Sequence, residues 1–226
     1  MIETNVAGGV RTIRFDRPER RNALTESGLN ELGRIINDAE EPVLYITGAG
    51  PAFCAGADLE TVSSLDRDAA EAFAAKGQRV ANSLESYDGA VVAGVDGPAR
   101  GGGVELALAC DLRIGTPDAS FAESGVSLGL FGAWGGTARL PRIVGEGEAL
   151  DIALSGRVVD ATEAKQLGLC SRITEEPFEV AESLATNDPA AMRAIKRRMR
   201  DRSAVQSQEK REQAAFGELI EKFESE

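Results

Sequence analysis

Histidine is absent from this chain of 226 residues. That absence removes Ser-His-Asp and Cys-His nucleophile mechanisms and every histidine-containing metal site, leaving carboxylates, hydroxyls and backbone dipoles to carry any chemistry. Cysteine is scarce: Cys54, Cys110 and Cys170 lie far apart without CxxC spacing, which argues against a disulfide framework or a zinc knuckle. No metal site is therefore expected. No apolar run approaches the ~18 residues of a membrane-spanning helix. Met1-Ile2-Glu3-Thr4 lacks the basic and apolar regions of a secretion signal, so the expectation is a cytoplasmic protein with no membrane partner. Positive charge is in deficit too, with 25 Lys and Arg against 37 Asp and Glu and a formal net charge of −12, which argues against nucleic acid as a partner. The basic stretch at residues 193–202 is the local exception and reads as the solvated face of one helix.

What is present is a chain that is 42% hydrophobic and long enough for one large domain with a substantial core. Residues 9–15 alternate in the strand manner, and residues 25–37 carry Leu29, Leu32, Ile35 and Ile36 at helical spacing behind a Thr25 cap. Residues 43–47 read as a second strand, 69–87 as a long helix, 91–95 as a third strand and 111–115 as a fourth. Repeated βα units of this kind favour an α/β fold with largely parallel strands. Beyond about residue 138 the texture turns helical, at 146–155, 161–167, 178–185, 189–201 and 205–224, with no linker and no internal repeat. This divides the chain into an α/β core at 1–138 and a helical region at 139–226, which has little core of its own and is expected to pack on a neighbouring subunit.

Two small-residue loops stand out. Gly101-Gly102-Gly103-Val104-Glu105 follows one strand and opens an apolar helix, where unpaired N–H groups and the helix dipole suit an anion or a developing oxyanion. The plainer alternative is a tight strand-to-helix joint. The second loop, Gly48 to Leu59, begins like a GxGxxG fingerprint, but Phe53 occupies the third glycine position and no nicotinamide site is expected. If Ala55-Gly56-Ala57 and Gly101-Gly102-Gly103 open at the same end of neighbouring strands, one N–H from each could meet a single oxygen.

Four ordered motifs carry a resemblance. Arg17-Pro18-Glu19-Arg20-Arg21-Asn22-Ala23-Leu24, Ala52-Phe53-Cys54-Ala55-Gly56-Ala57-Asp58-Leu59, Asp96-Gly97-Pro98-Ala99-Arg100-Gly101-Gly102-Gly103-Val104-Glu105, and Leu128-Gly129-Leu130 with Trp134-Gly135-Gly136-Thr137-Ala138-Arg139-Leu140 resemble the signatures of the crotonase, or enoyl-CoA hydratase/isomerase, superfamily. The resemblance implies a crotonase-like (ClpP/crotonase) spiral of ββα units, with a C-terminal helical region that forms homotrimers or dimers of trimers. It also implies an acyl-CoA substrate, with coenzyme A as part of the thioester and no separate cofactor. The N–H groups of Ala57 and Gly102 would hold the thioester oxygen, and Arg21, Ala23, Ala55, Gly56, Asp58, Leu59 and Gly101 would border the CoA channel.

By the same resemblance Glu105 is one of two glutamates that activate and position water. The second falls, by counting back from Gly135-Gly136-Thr137, on Gly125, a substrate-lining position where the acid is missing. Glu123 is the candidate substitute, although an offset of two residues moves a carboxylate by several ångströms unless the loop rearranges. The implied function is hydration of 2-enoyl-CoA with Glu105 as acid/base. Isomerisation, decarboxylation, thioester cleavage or acyl-CoA binding without catalysis are the alternatives that the missing acid leaves open.

Overall fold

The computed structural model describes residues 1–223. Strands β1 (Ile2–Ala7) and β2 (Val10–Phe15) form a hairpin, followed by helix α1 (Glu26–Asn37) and β3 (Val43–Gly48). Helices α2 (Leu59–Ser63) and α3 (Arg67–Ser86) lead to β4 (Ala90–Val95), β5 (Pro98–Arg100), α4 (Gly102–Ala109), β6 (Leu112–Gly115) and β7 (Ser120–Ala122). Then come α5 (Gly136–Val144), α6 (Glu146–Ser155), β8 (Val159–Asp160), α7 (Ala161–Gln166) and β9 (Arg172–Ile173). The helices α8 (Pro177–Ala185), α9 (Pro189–Met199) and α10 (Val205–Phe223) end the chain.

One sheet runs in the order β1-β2-β3-β4-β6-β9, and a smaller one in the order β5-β7-β8. In the larger sheet only the β1–β2 pair is antiparallel. Its turn is Gly8-Gly9, both at positive φ, the backbone that a two-residue hairpin of this twist requires. The parallel strands are apolar on both faces. Leu44, Ile46, Val91, Ala93 and Val95 belong to the main core with α1, α3 and α4, whereas the alternate residues Val43, Tyr45 and Val92 meet Val180 and Ala181 of α8. The α/β spiral expected from the sequence is the one found, and among the described residues no helix is long and apolar enough to cross a membrane.

Local chemistry sets the element ends. Thr25 accepts the Gly28 N–H at 3.3 Å to cap α1, and Asp58, Asp66, Asp160 and Asp188 do the same for α2, α3, α7 and α9. Helix α4 differs from the rest in being buried on every side, as an apolar helix at the centre of a core must be.

The strand expected at 9–15 has an antiparallel neighbour, β1, whose residues are mostly exposed and so show no apolar alternation. The boundary expected at residue 138 lies inside α5, and beyond it β8 pairs with β7 while β9 pairs with β6, so both sheets draw on the later part of the chain. The end of the helix expected at 205–224 lies outside the described residues. The basic run at 193–202 is more than a solvated helix face. Lys196 Nζ and Arg200 Nη2 reach Asp111 at 2.8 and 2.7 Å, and Arg197 pairs with Asp88 at 2.6 Å, so the positive charge fastens α9 to the ends of α3 and α4.

Asp111 also accepts the Val91 N–H at 2.8 Å, which makes it the hub of that junction. Asp111→Ala is expected to lower the free energy of unfolding by about 2 kcal/mol, because it leaves a strand N–H unmet and takes the shared carboxylate from two cations that keep only Gly89 and Glu85 as partners. The check is urea denaturation, read as a lower midpoint at unchanged slope. A wild-type midpoint would mean that packing alone holds α9.

Candidate active site

The loop after β3 and the loop after β5 lie side by side. Gly56 has φ +84°, and a Cβ there would come within 2.7 Å of both the Arg100 carbonyl and the Gly102 nitrogen, so only glycine allows this approach. Ala57 bridges Leu24 with its own N–H left over, because the bonds of that bridge are Leu24 N–H to Gly56 O and Asp58 N–H to Leu24 O. Gly102 is the first residue of α4, where N–H groups lack helical acceptors. Among the described residues neither N–H has a backbone acceptor. Both border a cleft of about 400 Å³ that reaches the surface beside Arg20 and Glu60.

Glu105 lines this cleft and meets a second glutamate, Glu123, that lies outside the lining. Glu105 sits on α4 and is 1% exposed; its Oε1 accepts the N–H of Trp134 at 2.8 Å and of Gly136 at 2.7 Å. Those donors are held in turn by Arg139, which donates to the Trp134 carbonyl at 3.3 Å and binds Glu85 and Asn82 of α3 at 2.6 and 2.7 Å. Glu123 follows β7, and neither of its buried oxygens has a hydrogen-bond partner. A methyl group at Gly132 would come within 2.9 Å of both Glu105 Oε2 and Glu123 Oε2, so the two carboxyls face one small volume.

Their environments differ. Burial pushes the Glu105 carboxyl above its ordinary value, against the Gly136 and Trp134 N–H groups and the Arg139 charge, which pull it down. Glu123 is pushed up to about 8, first by burial and then by the charge of Glu105, with nothing to offset either. At neutral pH Glu123 therefore carries a proton.

The structure brings most of the expected residues together. Ala23, Ala55, Ala57, Asp58, Leu59, Gly101, Gly102, Glu105 and Gly125 all line the cleft. Asp58 lines it with its carboxylate already committed, to the Thr61 N–H at 3.0 Å and to Arg17 at 2.6 Å. Gly56 stands behind the lining and acts through its backbone. Arg21 is also outside it: the residue has left-handed backbone and its carbonyl accepts the Ala55 N–H at 2.9 Å, and its neighbour Arg20 borders the mouth instead. A Cβ at Gly125 would meet the Leu130 carbonyl at 3.3 Å, a tight contact that a side chain there could make only if the neighbouring loop gave by a few tenths of an ångström. Glu123, by contrast, is close to Glu105 despite its offset in sequence.

Two residues with supporting roles escaped the sequence reading. Asn22, buried at φ +59°, donates to the carbonyls of Ala49 and Ala52 at 2.9 and 2.7 Å and accepts the Arg17 N–H, which fixes the loop leading to Ala57. An asparagine after a proline turn is the kind that tolerates left-handed backbone, which was the available signal. Arg139 was visible only as part of a motif.

The Glu123 shift fixes the sign of a pH effect on stability. Its carboxyl binds a proton more tightly folded than unfolded, so native stability falls as pH rises from about 4.5, the ordinary value, to about 8, and is flat beyond. Glu123→Gln removes this loss, so the variant is expected to gain on the wild type across that window and to be the more stable protein above pH 8. Thermal melts at a series of pH values measure the gap; a gap that does not vary with pH would mean that Glu123 ionises normally.

Known proteins resemble this chain in sequence and in fold. A family model described as enoyl-CoA hydratase/isomerase matches residues 5–226. A short-chain-enoyl-CoA hydratase of Clostridium acetobutylicum is 34% identical over 200 residues, covering 84% of this chain and 77% of the relative. The crystal structure of an enoyl-CoA hydratase from Bacillus anthracis superposes with a TM-score of 0.92 at 32% identity, over 97% of this chain and 91% of that one. A Thermobifida fusca protein solved in complex with CoA gives 0.91 at 30% identity, over 100% and 95%. By match length, identity and fold, this chain belongs to the enoyl-CoA hydratase/isomerase family.

Proposed function

We propose that this protein adds water reversibly across the 2,3 double bond of enoyl-CoA thioesters, with Glu105 as base and Glu123 as acid. The observation that carries the reading is the asymmetric carboxyl pair around Gly132, one member held by two backbone N–H groups and the other with no partner. It stands beside two N–H groups free to receive a thioester oxygen. Relatives named as hydratases, and one solved with CoA, support the substrate class.

The chemistry follows from the charges. Glu105 Oε2 takes a proton from water, and the water oxygen bonds to Cβ. The π electrons move to Cα and the carbonyl, and the N–H groups of Ala57 and Gly102 stabilise the resulting enolate, each donor contributing about 3 kcal/mol to the transition state. Glu123 then delivers its proton to Cα, giving a 3-hydroxyacyl-CoA. Proton return from Glu105 to Glu123 resets the pair. Each carboxyl is suited to its part: a base whose inactive oxygen is already held by two N–H groups, and an acid kept neutral by burial. The exposed Ile195, Met199, Phe216 and Ile220 on α9 and α10 support homotrimer formation through the C-terminal helices.

Steady-state hydration of crotonyl-CoA, followed by loss of the enoyl-thioester absorbance, tests the assignment. Glu105→Gln and Glu123→Gln are each expected to lower kcat by about 10²–10⁴-fold. Because the acid must be protonated, wild-type kcat is present below about pH 8 and falls above it, and this limb disappears from the residual activity of Glu123→Gln. Undiminished turnover in Glu123→Gln would remove that residue from the mechanism. No turnover, with proton exchange at Cα of saturated acyl-CoAs, would select another acyl-CoA reaction.

A further inference from the structure

Glu105 Oε1 takes the Gly136 N–H at 2.7 Å, and the carbonyl of that same peptide, on Gly135, lies 3.5 Å from Arg139 Nη1. In a trans peptide the N–H and C=O point in opposite directions, so this one peptide dipole has a guanidinium at its negative end and a carboxylate at its positive end. Trp134 repeats the contact: its N–H meets Glu105 Oε1 at 2.8 Å, and its carbonyl receives Arg139 Nη1 at 3.3 Å. The backbone is shaped for this. Gly135 has φ +104°, and a Cβ there would come within 2.1 Å of Arg139 Nη1, so a larger residue would displace the guanidinium from the turn.

A brace alone would not need a charge here. Gln78 of α3 already ties the same segment, donating to the Ala133 carbonyl at 2.9 Å. Arg139 instead brings a guanidinium that is 8% exposed, and α3 supplies what keeps it there, Glu85 at 2.6 Å and Asn82 at 2.7 Å. Glu85 in turn faces Arg200 of α9 at 3.5 Å. The charged and titratable groups around Glu105 are thus Glu123 from the end of β7 and Arg139 from α5, with Glu85 of α3 behind Arg139. Of these, only Arg139 favours the ionised carboxylate, and it stands outside the lining of the cleft.

We infer that Arg139 is a positioning residue for the base, holding Glu105 in its charged form through the peptide between Gly135 and Gly136 without touching the substrate. The inference rests on the hydratase reading for the need of a charged base, and its physical content can be measured in the resting protein. A reporter is built in. Trp134 is the single tryptophan of the chain, and its own N–H is one of the two donors to Glu105. Its ring is wedged between α3 and α4 so closely that a Cβ on Gly77 would come within 2.1 Å of it and one on Gly102 within 2.4 Å. An indole fixed this near a carboxyl changes its emission when that carboxyl gains a proton.

The test is a pH titration of Trp134 fluorescence, made in a Glu123→Gln background to keep that acid out of the signal, beside the pH profile of kcat for crotonyl-CoA hydration in the otherwise wild-type protein. Glu105→Gln is expected to abolish the fluorescence transition, and its survival would overturn the inference. Arg139→Gln keeps a polar side chain but not the charge, so the transition and the acid limb of kcat are expected to move to higher pH. At the low-pH end this variant then keeps about tenfold less of its plateau rate than the wild type. Glu85→Gln leaves Arg139 an acceptor oxygen but no counter-charge, and both readouts are expected to move to lower pH. Arg139→Lys retains the charge without the planar fork and is expected to stay with the wild type; tracking Arg139→Gln would overturn the inference. A mechanical brace predicts shifts of one sign, because Arg139→Gln and Glu85→Gln would both loosen the turn. Shifts of one sign, or none, overturn the inference. If Arg139→Gln does not fold, Glu85→Gln decides alone, and an upward or absent shift overturns it. A protein whose fluorescence follows these directions but which hydrates no enoyl-CoA fails the hydratase reading alone. One that hydrates crotonyl-CoA with a transition that none of the substitutions moves fails only the inference.

Discussion

A carboxylate at the centre of an apolar helix costs several kcal/mol in lost hydration unless its charge is met there. Helix α4 carries such a group at Glu105, and much of the surrounding structure serves to meet it. The Trp134 and Gly136 N–H groups come from a segment that Arg139 ties to α3, and the packing of α3 beside α4 brings the two together. The parallel strands β4 and β6 set the position of α4 between them in the chain, so the sheet fixes where the carboxylate stands. Remove the N–H pair and the helix would have to expose the charge, neutralise it or unfold.

That arrangement also determines the second carboxyl. Glu105 spends its donors on itself and leaves a negative field with no compensation a short distance away, where Glu123 is buried without partners. Keeping Glu123 neutral is the cheaper solution, and a neutral carboxylic acid is a proton donor at a pH where an ordinary one is not. The group is costly to the fold at high pH, and in the proposed reaction that same cost keeps its proton available at neutral pH. With no histidine in the chain, the proposed base and acid are two identical side chains distinguished by their surroundings alone.

What could be read in advance follows the same physics. Backbone N–H chemistry demands small residues, so the loops at Ala55-Gly56-Ala57 and Gly101-Gly102-Gly103 declare themselves by composition, and Glu105 follows from its place one step beyond. Strands apolar on both faces, such as β3 and β4, are equally plain. Strands of two or three residues, as in β5, β7, β8 and β9, have no periodicity to detect. The partner of Glu105 could be named from the sequence only as a displaced candidate, for another reason. Gapless counting assumes that a loop preserves direction residue by residue, whereas Glu123 leaves β7 with ψ 65° and enters a 3-10 turn, and that turn decides which side chain faces inward. Charge was misleading in one place: Lys196 and Arg200 look like a solvated surface until Asp111 is seen opposite them.

The wedge of Trp134 between Gly77 and Gly102 has a bearing on descent as well as on packing. A ring this size can be inherited only alongside two positions that have given up their side chains, and neither glycine can regain one while the ring remains. The three residues, 57 positions apart at their widest along the chain, constitute a single unit of variation, and a lineage that trimmed the ring would free both helices to diverge at once.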